Sequence, residues 1–293
     1  MNYNKFCAVL NKHIFEGEKK ELLIKLADRP GRFVGLFRPT KPRAKILQHL
    51  LQSHEIRFGD AMEELISEFL EDWGFKVLPK IIIPDPANPR KKLDIDQYFT
   101  DGETYYFIEQ KVRDDHDSTK KRGQISNFET KLEYLYRKHG QNLIGIMYFI
   151  DPDLVKNKNY YIEELDKMAD TYGVDLHLLY GEELFEFFSK LNIWNDLLSW
   201  LTQWKDSLPE LPEINFDRVS QDSFNEIKDL EIRFWRKILE NEKLWKEGIM
   251  LAIFRNGGTL RMLLEFFSRK PERAYRKLAE MIKQKLEGYY EGE

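Results

Sequence analysis

A short apolar segment with two charges inside it limits most strongly what this chain can fold into. Residues 105–112 read Tyr-Tyr-Phe-Ile-Glu-Gln-Lys-Val, a composition typical of a β-strand. Because successive side chains of a strand point to opposite faces, Glu109 and Lys111 must share one face of that strand. An acid and a base within a mostly apolar strand are costly to bury alone, so the fold must bring other polar groups to them.

A second segment upstream offers carboxylates as those partners. Residues 93–99 read Leu-Asp-Ile-Asp-Gln-Tyr-Phe, and the Asp-Gly pair at 101–102 marks a turn after them. The two segments therefore predict a hairpin that brings Asp96 beside Glu109 and Lys111. Two carboxylates and a lysine at one strand end indicate a site for a divalent metal ion and an attacking water.

The composition is that of a globular chain and excludes several classes of protein. Of the 293 residues, 42% are hydrophobic, 33% charged and 14% aromatic, which favours a substantial core over disorder. No stretch approaches the roughly 20 apolar residues of a membrane span, and the N-terminus carries no signal-peptide pattern. Cys7 is the only cysteine, which excludes an intrachain disulfide and a Cys-rich zinc site. We expect a cytoplasmic protein with no membrane association.

Basic residues are unevenly distributed in a chain whose net charge is −4. Nine Lys/Arg and two acids lie between Lys19 and Lys45, and eight Lys/Arg and three acids lie between Arg261 and Lys285. Local basic stretches in an acidic chain are typical of nucleic-acid binding. A solvated helix face explains the C-terminal stretch equally well.

Hydrophobic periodicity and turn residues indicate the order of elements, with no internal repeat. The Pro/Gly-rich residues 29–43 predict a loop, whose Phe33 and Phe37 are expected to pack inward, and 220–287 predict a helical region. We expect Trp194, Trp200 and Trp204 in the core. We predict helices at 5–27, 60–73, 124–138, 160–172 and 182–190, and strands at 76–83, 93–99, 105–112, 143–150 and 174–180. This order is typical of an α/β fold with a mixed central sheet flanked by helices.

These residues and their order resemble the PD-(D/E)XK nuclease superfamily and, within it, the type II restriction endonucleases. The acid-x-lysine element of that motif matches Glu109-Gln110-Lys111 on the third predicted strand. The aspartate that opens the second strand is Asp96 or Asp94, and the spacing favours Asp96. The proline expected before it is absent, because Ile95 stands there.

The resemblance covers about residues 55–190 and implies a restriction-endonuclease-like core. The predicted domains are an N-terminal helical and basic-loop region at 1–54, the nuclease core at 55–205, and a linker with an α-helical C-terminal region at 206–293. Glu63 stands on the predicted helix where the superfamily often carries a further acid.

The resemblance also implies the chemistry. Asp96 and Glu109 would hold Mg²⁺, with the Gln110 carbonyl and Glu63 as further ligands, and Mn²⁺ is an expected substitute. Lys111 would position the attacking water or stabilise the developing charge. The reaction is then site-specific hydrolysis of double-stranded DNA that leaves 5′-phosphate and 3′-hydroxyl ends. The implied partners are a second copy in a homodimer and a DNA methyltransferase, whose modification of host DNA prevents cleavage by the nuclease.

Two segments are candidates for DNA contact. Basic and hydroxyl side chains after the third strand could bind phosphates from a helix N-terminus, and the aspartates among them could accept hydrogen bonds from cytosine or orient the basic side chains. The Pro/Gly loop, with Arg29, Arg32 and Lys41, is the second candidate, and this loop with its interleaved phenylalanines could wrap the duplex. The predicted DNA-binding residues are Arg113, Ser118, Thr119, Lys120, Lys121, Arg122 and Gln124 after the strand, and Arg38 and Arg43 in the loop.

Several alternatives stay open from the sequence. Glu109 and Lys111 could be an ion pair on an edge strand, where lysine is common. Glu63 could be a solvated helix residue, and residues 113–122 a solvated loop, with His116 a surface or phosphate-contacting side chain. A structure-specific repair or recombination nuclease and a non-catalytic DNA-binding protein are the alternative functions.

Overall fold

The computed structural model describes residues 1–37, 39–85 and 88–290. Within those ranges the chain is mostly helical in both its first and last thirds, with strands between. The helices are α1 (Tyr3–Phe15), α2 (Glu18–Asp28), α3 (Pro42–Asp72), α4 (Ser118–His139), α5 (Lys158–Tyr172), α6 (Glu183–Phe187), α7 (Leu191–Asp206), α8 (Ser220–Ile227), α9 (Ile232–Glu240), α10 (Glu242–Lys246), α11 (Ile249–Ile253), α12 (Gly258–Ser268) and α13 (Arg273–Tyr289), with 3₁₀ turns at Pro30–Arg32 and Phe216–Val219.

The strands form a five-stranded mixed sheet and a separate two-stranded sheet. They are β1 (Lys76–Val77), β2 (Ile82–Asp85), β3 (Asn88–Asp94), β4 (Gln97–Thr100), β5 (Tyr105–Lys111), β6 (Leu143–Phe149) and β7 (Asp175–Tyr180). The large sheet has the order β1-β4-β5-β6-β7, with β1, β4 and β5 antiparallel and β5, β6 and β7 parallel. Strands β2 and β3 pair with each other. The mixed sheet with flanking helices confirms the predicted fold class.

The chain divides into two compact units. One consists of residues 1–10 and 58–208 and contains the large sheet, and the other consists of residues 11–57 and 209–293. Each has its own core: side chains of β5, β6, α4 and α5 pack in the first, and side chains of α2, α9, α12 and α13 pack in the second. The domain boundaries at 54 and 205 stay a prediction.

Strand β6 is buried, as its almost wholly apolar sequence indicates. Gly145 lies opposite Phe107 on β5, and a Cβ at that glycine would come within 2.7 Å of the Phe107 and Leu176 side chains. The three strands therefore pack closely around this position, and β5 is an internal strand because it pairs with β4 on one side and β6 on the other.

The hairpin forms around the predicted turn. The Asp101 carboxylate accepts hydrogen bonds from the backbone N–H groups of Glu103 and Thr104, and Gly102 adopts a positive φ of 106°. The turn sets a register in which Gln97 faces Ile108. The first strand of the hairpin is shorter than predicted, because Leu93 and Asp94 belong to β3 instead.

Other predicted elements have different limits. The helix predicted at 5–27 is broken at Gly17, which has a φ of 71°, and α3 begins at Pro42 rather than near Asp60. The single strand predicted at 76–83 was wrong, because it is divided between β1 and β2 in different sheets. Phe33 is buried as predicted, whereas the inward packing predicted for Phe37 was wrong, since that side chain is exposed.

Two further predictions concern buried tryptophans and membrane spans. Trp194 and Trp204 on α7 are buried as predicted, and Trp200 is partly buried. No helix in the described part of the chain is long and apolar enough to cross a membrane.

Candidate active site

The carboxyl end of β5 carries Glu109, Gln110 and Lys111 into the interior of the first unit. Glu109 and Gln110 are buried, and both lie on a strand that pairs with β4 on one side and β6 on the other. Glu109 and Lys111 are therefore not an edge-strand ion pair. Lys111 is the more exposed of the two, with 32% of its side chain accessible against 5% for Glu109.

Asp96 immediately precedes β4 and lies beside this strand end. Its Oδ2 atom accepts hydrogen bonds from the backbone N–H of Gln110 at 2.8 Å and from the Lys111 ammonium at 3.2 Å. The hairpin register places residue 96 in that position, next to Glu109. Asp94, by contrast, is exposed at the end of β3, where it pairs with Ile82. Of the two aspartates, the structure brings Asp96 to the other predicted site residues.

Lys111 lies between the two carboxylates. Its Nζ atom is 2.9 Å from Glu109 Oε1 and 3.2 Å from Asp96 Oδ2, and it donates to the Gln110 carbonyl at 2.6 Å. Burial by itself would lower the pKa of Lys111, but the charges of Glu109 and Asp96 and the hydrogen bonds to both outweigh it and raise that pKa. With 32% of its side chain exposed, Lys111 can also contact solvent.

A second lysine completes the cluster, and the sequence analysis missed it. Lys131 on α4 is buried, donates a short hydrogen bond to Glu109 Oε2, and lies 3.9 Å from Asp96 Oδ1. Two carboxylates thus face two ammonium groups, which offsets the cost of burying each charge. The signal for Lys131 was its spacing, since it falls on the apolar face of α4 between Phe128 and Leu135.

Glu63 lies on α3 close to this cluster. The helix is tied to β4 by a hydrogen bond from the Gln97 side chain to the Glu63 carbonyl at 2.7 Å, and the Glu63 carboxylate is 3.5 Å from Lys80. Burial and the nearby Asp96 charge raise the pKa of the Glu63 carboxyl to about 7, although Lys80 and Lys111 oppose the shift. Glu63 is therefore not an ordinary solvated helix residue.

Three oxygen atoms at the end of β5 converge on one cation. Asp96 Oδ2, Glu109 Oε1 and the Gln110 carbonyl surround the Lys111 ammonium at 3.2, 2.9 and 2.6 Å. Magnesium prefers oxygen ligands of these kinds, so this donor set fits a divalent cation in the place of the ammonium. No group of three or more His, Cys, Asp or Glu side chains suited to a metal occurs in the described ranges. The oxygen atoms closest to that position come from two carboxylates and a backbone carbonyl, and Glu63 as a further ligand stays a prediction.

The segment after β5 is fixed by a buried aspartate. Asp114 is fully buried, and its carboxylate accepts hydrogen bonds from the backbone and side-chain amides of Asn157, both at 2.7 Å, and from the Tyr180 hydroxyl at 3.0 Å. Burial is the largest cause that raises the pKa of the Tyr180 hydroxyl, and the charge of Asp114 and the hydrogen bond to it raise that pKa further. The interpretation of this aspartate as a cytosine-reading group was wrong, because its acceptor sites are enclosed and in use.

The first turn of α4 presents most of the predicted phosphate-binding side chains. Ser118, Thr119, Lys120 and Arg122 are exposed, and Lys121 packs over the Tyr160 ring at 4.3 Å. Asp117 caps the helix by accepting from the backbone N–H groups of residues 119 and 120, so those two donors are already engaged. Phosphate would therefore be bound here by side chains rather than by the backbone.

The remaining predicted DNA-binding residues are divided among several environments. Gln124 accepts a hydrogen bond from the Tyr161 hydroxyl at 2.5 Å, which holds its side chain against α5, and Arg113 is partly buried. Arg43 is exposed near the start of α3. Arg38 lies outside the described residues.

The comparisons with known proteins agree with this geometry. A family model described as "Type II restriction endonuclease, HinfI" matches residues 2–81 and 75–205. No curated protein matches the chain. The family match covers more than half of the 293 residues and includes every element of the sheet. The chain is therefore a member of the HinfI family of type II restriction endonucleases, enzymes that hydrolyse DNA.

Proposed function

We propose that this endonuclease cleaves double-stranded DNA at a specific sequence by Mg²⁺-dependent hydrolysis, with Asp96, Glu109 and Lys111 as its catalytic residues. The observation that carries the proposal is the convergence of three oxygen atoms on one cation at the end of β5. Asp96, Glu109 and the Gln110 carbonyl would hold Mg²⁺, and Mn²⁺ would occupy the same oxygen set.

The buried and the partly exposed side chains of the site would have different roles in the reaction. A bound divalent cation would offset negative charge on the scissile phosphate and make a nearby water more acidic. Asp96 and Glu109 provide fixed acceptors, because the Gln110 N–H holds the first and Lys131 holds the second. Lys111, partly exposed, would donate a hydrogen bond to the attacking water or to the phosphate as charge develops there. Breaking the phosphodiester in this way leaves a 5′-phosphate and a 3′-hydroxyl.

The proposed assembly is a homodimer acting with a DNA methyltransferase of the same specificity. Two active sites related by a two-fold axis would reach the two strands of a symmetric recognition site. Methylation of that site would protect host DNA from cleavage. The proposed DNA contacts are the side chains after β5 and two arginines of the Pro/Gly loop. They are Arg113, Ser118, Thr119, Lys120, Lys121, Arg122 and Gln124, with Arg38 and Arg43.

A plasmid digest tests the proposal directly. The purified protein is incubated with plasmid in Mg²⁺ and in EDTA, alongside Lys111→Ala and the control variant Lys205→Ala, which changes an exposed lysine on α7. We expect discrete fragments that require Mg²⁺, persist in Lys205→Ala and disappear in Lys111→Ala. Plasmid left intact under every condition would contradict site-specific cleavage and favour a structure-specific or binding role.

A further inference from the structure

The loop between the first 3₁₀ turn and α3 is firmly anchored at its base. Phe33 and Val34 are buried in the core of the second unit, and the Phe33 ring packs edge-on against His49 with 5.2 Å between centroids. Gly35 then turns the chain outward with a φ of 128°, and its N–H donates to Glu247 Oε2 at 2.9 Å. The residues after Gly35 are therefore presented from a fixed support.

Those residues are two neighbouring large apolar side chains in full contact with solvent. Leu36 is 92% exposed and Phe37 is 95% exposed. Single exposed apolar side chains are common, but two adjacent ones with almost no contact to the protein leave a large hydrophobic surface unburied. A surface of this kind is stabilised when a partner covers it.

The charges around the tip indicate the kind of partner. Arg29, Arg32, Lys41 and Arg43 are exposed and form no close ion pair with a described residue, although the charges of Arg29 and Arg43 lower the pKa of Asp28 and Glu213. The sequence has no acid between Arg29 and Lys45. Exposed cations that are not held in close ion pairs are suited to the phosphates of nucleic acid. If the loop instead met its own copy across a two-fold axis, like charges would face one another, which disfavours that arrangement.

We propose that Leu36 and Phe37 form a wedge that inserts between stacked base pairs of the DNA substrate, while the surrounding arginines and lysines hold the phosphates. Apolar side chains that enter a base step separate the two pairs and bend the duplex, and flexible pyrimidine–purine steps open most easily. The loop then contributes to recognition by the deformability of a sequence. This inference depends on DNA as the substrate and is independent of the residues proposed for hydrolysis.

A DNA-unwinding assay tests the wedge on a plasmid of any sequence. Relaxed plasmid is incubated with the protein and topoisomerase I in Ca²⁺ in place of Mg²⁺, and the linking number is read from the topoisomers after deproteinisation. We expect the wild-type protein to change the linking number, because insertion between base pairs unwinds the duplex. Leu36→Ala and Phe37→Ala should at least halve that change at equal amounts of bound protein. Phe37→Ala should also weaken binding about 10-fold, or about 1.4 kcal/mol.

Matched variants separate insertion from other effects. Phe37→Trp keeps a flat ring and should retain unwinding, and Ile56→Ala, at a side chain 70% exposed on α3, should match the wild type. Unchanged unwinding and affinity in the Leu36 and Phe37 variants would overturn the wedge. A change in the monomer–dimer equilibrium alone, measured by sedimentation, would also overturn it in favour of a contact with a second copy. Cleavage by a wild-type protein that does not unwind DNA would refute the wedge and leave the proposed function intact, whereas failure to bind plasmid would refute both.

Discussion

Lys131 and Glu109 form an ion pair in which the two side chains are only 4% and 5% exposed. The lysine comes from α4 and the carboxylate from β5, 22 residues earlier in the chain. Because Lys131 holds one oxygen of Glu109, the other oxygen is directed toward Lys111 at 2.9 Å. The orientation of a proposed metal ligand therefore depends on a residue that lies outside the sequence motif.

Replacing Lys131 by methionine should destabilise the protein strongly. Removal of Lys131 leaves the carboxylates of Glu109 and Asp96 with Lys111 as their remaining cation in this cluster, and loss of one partner of a buried ion pair typically costs about 3–5 kcal/mol. Urea unfolding measures the loss. Glu109→Gln in the same chain should recover much of it, since the excess negative charge is then absent, and a double-mutant cycle gives the coupling free energy. Arg137→Met, which removes an exposed pair with Glu133 on the same helix, should change stability by less than about 1 kcal/mol. Equal effects of the Lys131 and Arg137 changes would contradict this interpretation.

Divalent-cation binding should require Asp96 and not Asp94. Asp96→Asn removes a charged oxygen from the proposed donor set, whereas Asp94→Asn changes an exposed carboxylate on β3. Calorimetric titration with Mg²⁺ and Mn²⁺, without DNA, should show binding to the wild type and Asp94→Asn, and at least 10-fold weaker binding to Asp96→Asn. Similar affinities in all three proteins would place the cation elsewhere.

Replacing Asp114 by alanine should destabilise the segment that leads into α4. The change leaves the buried donors of Asn157 and Tyr180 without an acceptor, at about 1–3 kcal/mol for each unsatisfied group. Hydrogen exchange should then increase at the N-terminus of α4. The neighbouring exposed Asp115 provides the control, and Asp115→Ala should leave stability and exchange nearly unchanged.

Phosphate contacts should be visible in the salt dependence of DNA binding. If Lys120 or Arg43 contacts a phosphate, its change to alanine should reduce the slope of log affinity against log salt by about 0.9. Fluorescence anisotropy in Ca²⁺ at several salt concentrations provides the slopes. Arg137→Ala alters the distant end of the helix that carries Lys120 and should leave the slope as it is. An unchanged slope in a variant would show that the replaced side chain does not contact a phosphate.

Stability should fall on mild acidification because of His139. Burial, with a smaller contribution from the Lys138 charge, lowers the pKa of His139, whose ring stacks on Tyr105 at 3.6 Å and lies 2.5 Å from the Tyr98 hydroxyl. The unfolded chain then binds a proton at higher pH than the folded protein does. The contribution of His139 is therefore complete above its ordinary pKa of about 6.5 and is lost progressively as the pH falls from that value toward the lowered pKa of the folded state. Melting temperatures between pH 5 and pH 8 should decline less steeply in His139→Phe, and an identical decline would exclude this group.

The hairpin was predictable because its determinants are local. Alternating apolar side chains identify β5, and the Asp101-Gly102 turn brings β4 back beside it. Once that register exists, Asp96 must lie next to Glu109, and no information from distant parts of the chain is needed. The sequence of β6 also predicted its position, because a strand covered on both faces is apolar along its whole length.

Predictions failed where composition alone specifies neither the pairing partner of a strand nor the direction of a loop. Residues 76–83 have the composition of one strand, but they divide between two sheets because β1 pairs with β4 and β2 pairs with β3. Phe37 has the hydrophobicity of a core residue and is nevertheless exposed, since Gly35 turns the loop away after Phe33 and Val34 have entered the core. Hydrophobicity alone does not specify which side chain of such a loop is buried.

The hairpin and the acid-x-lysine motif were readable from the sequence because they involve residues close together in the chain, and the fold class was readable from the order of its helices and strands. Only the tertiary structure placed Lys131 against Glu109 and enclosed Asp114 between Asn157 and Tyr180. Those contacts depend on how α4, α5 and β7 pack around the end of β5. The spacing of these residues in the sequence does not specify which side chains they contact. A buried charge becomes interpretable only when its partner is known, and the partner is selected by packing.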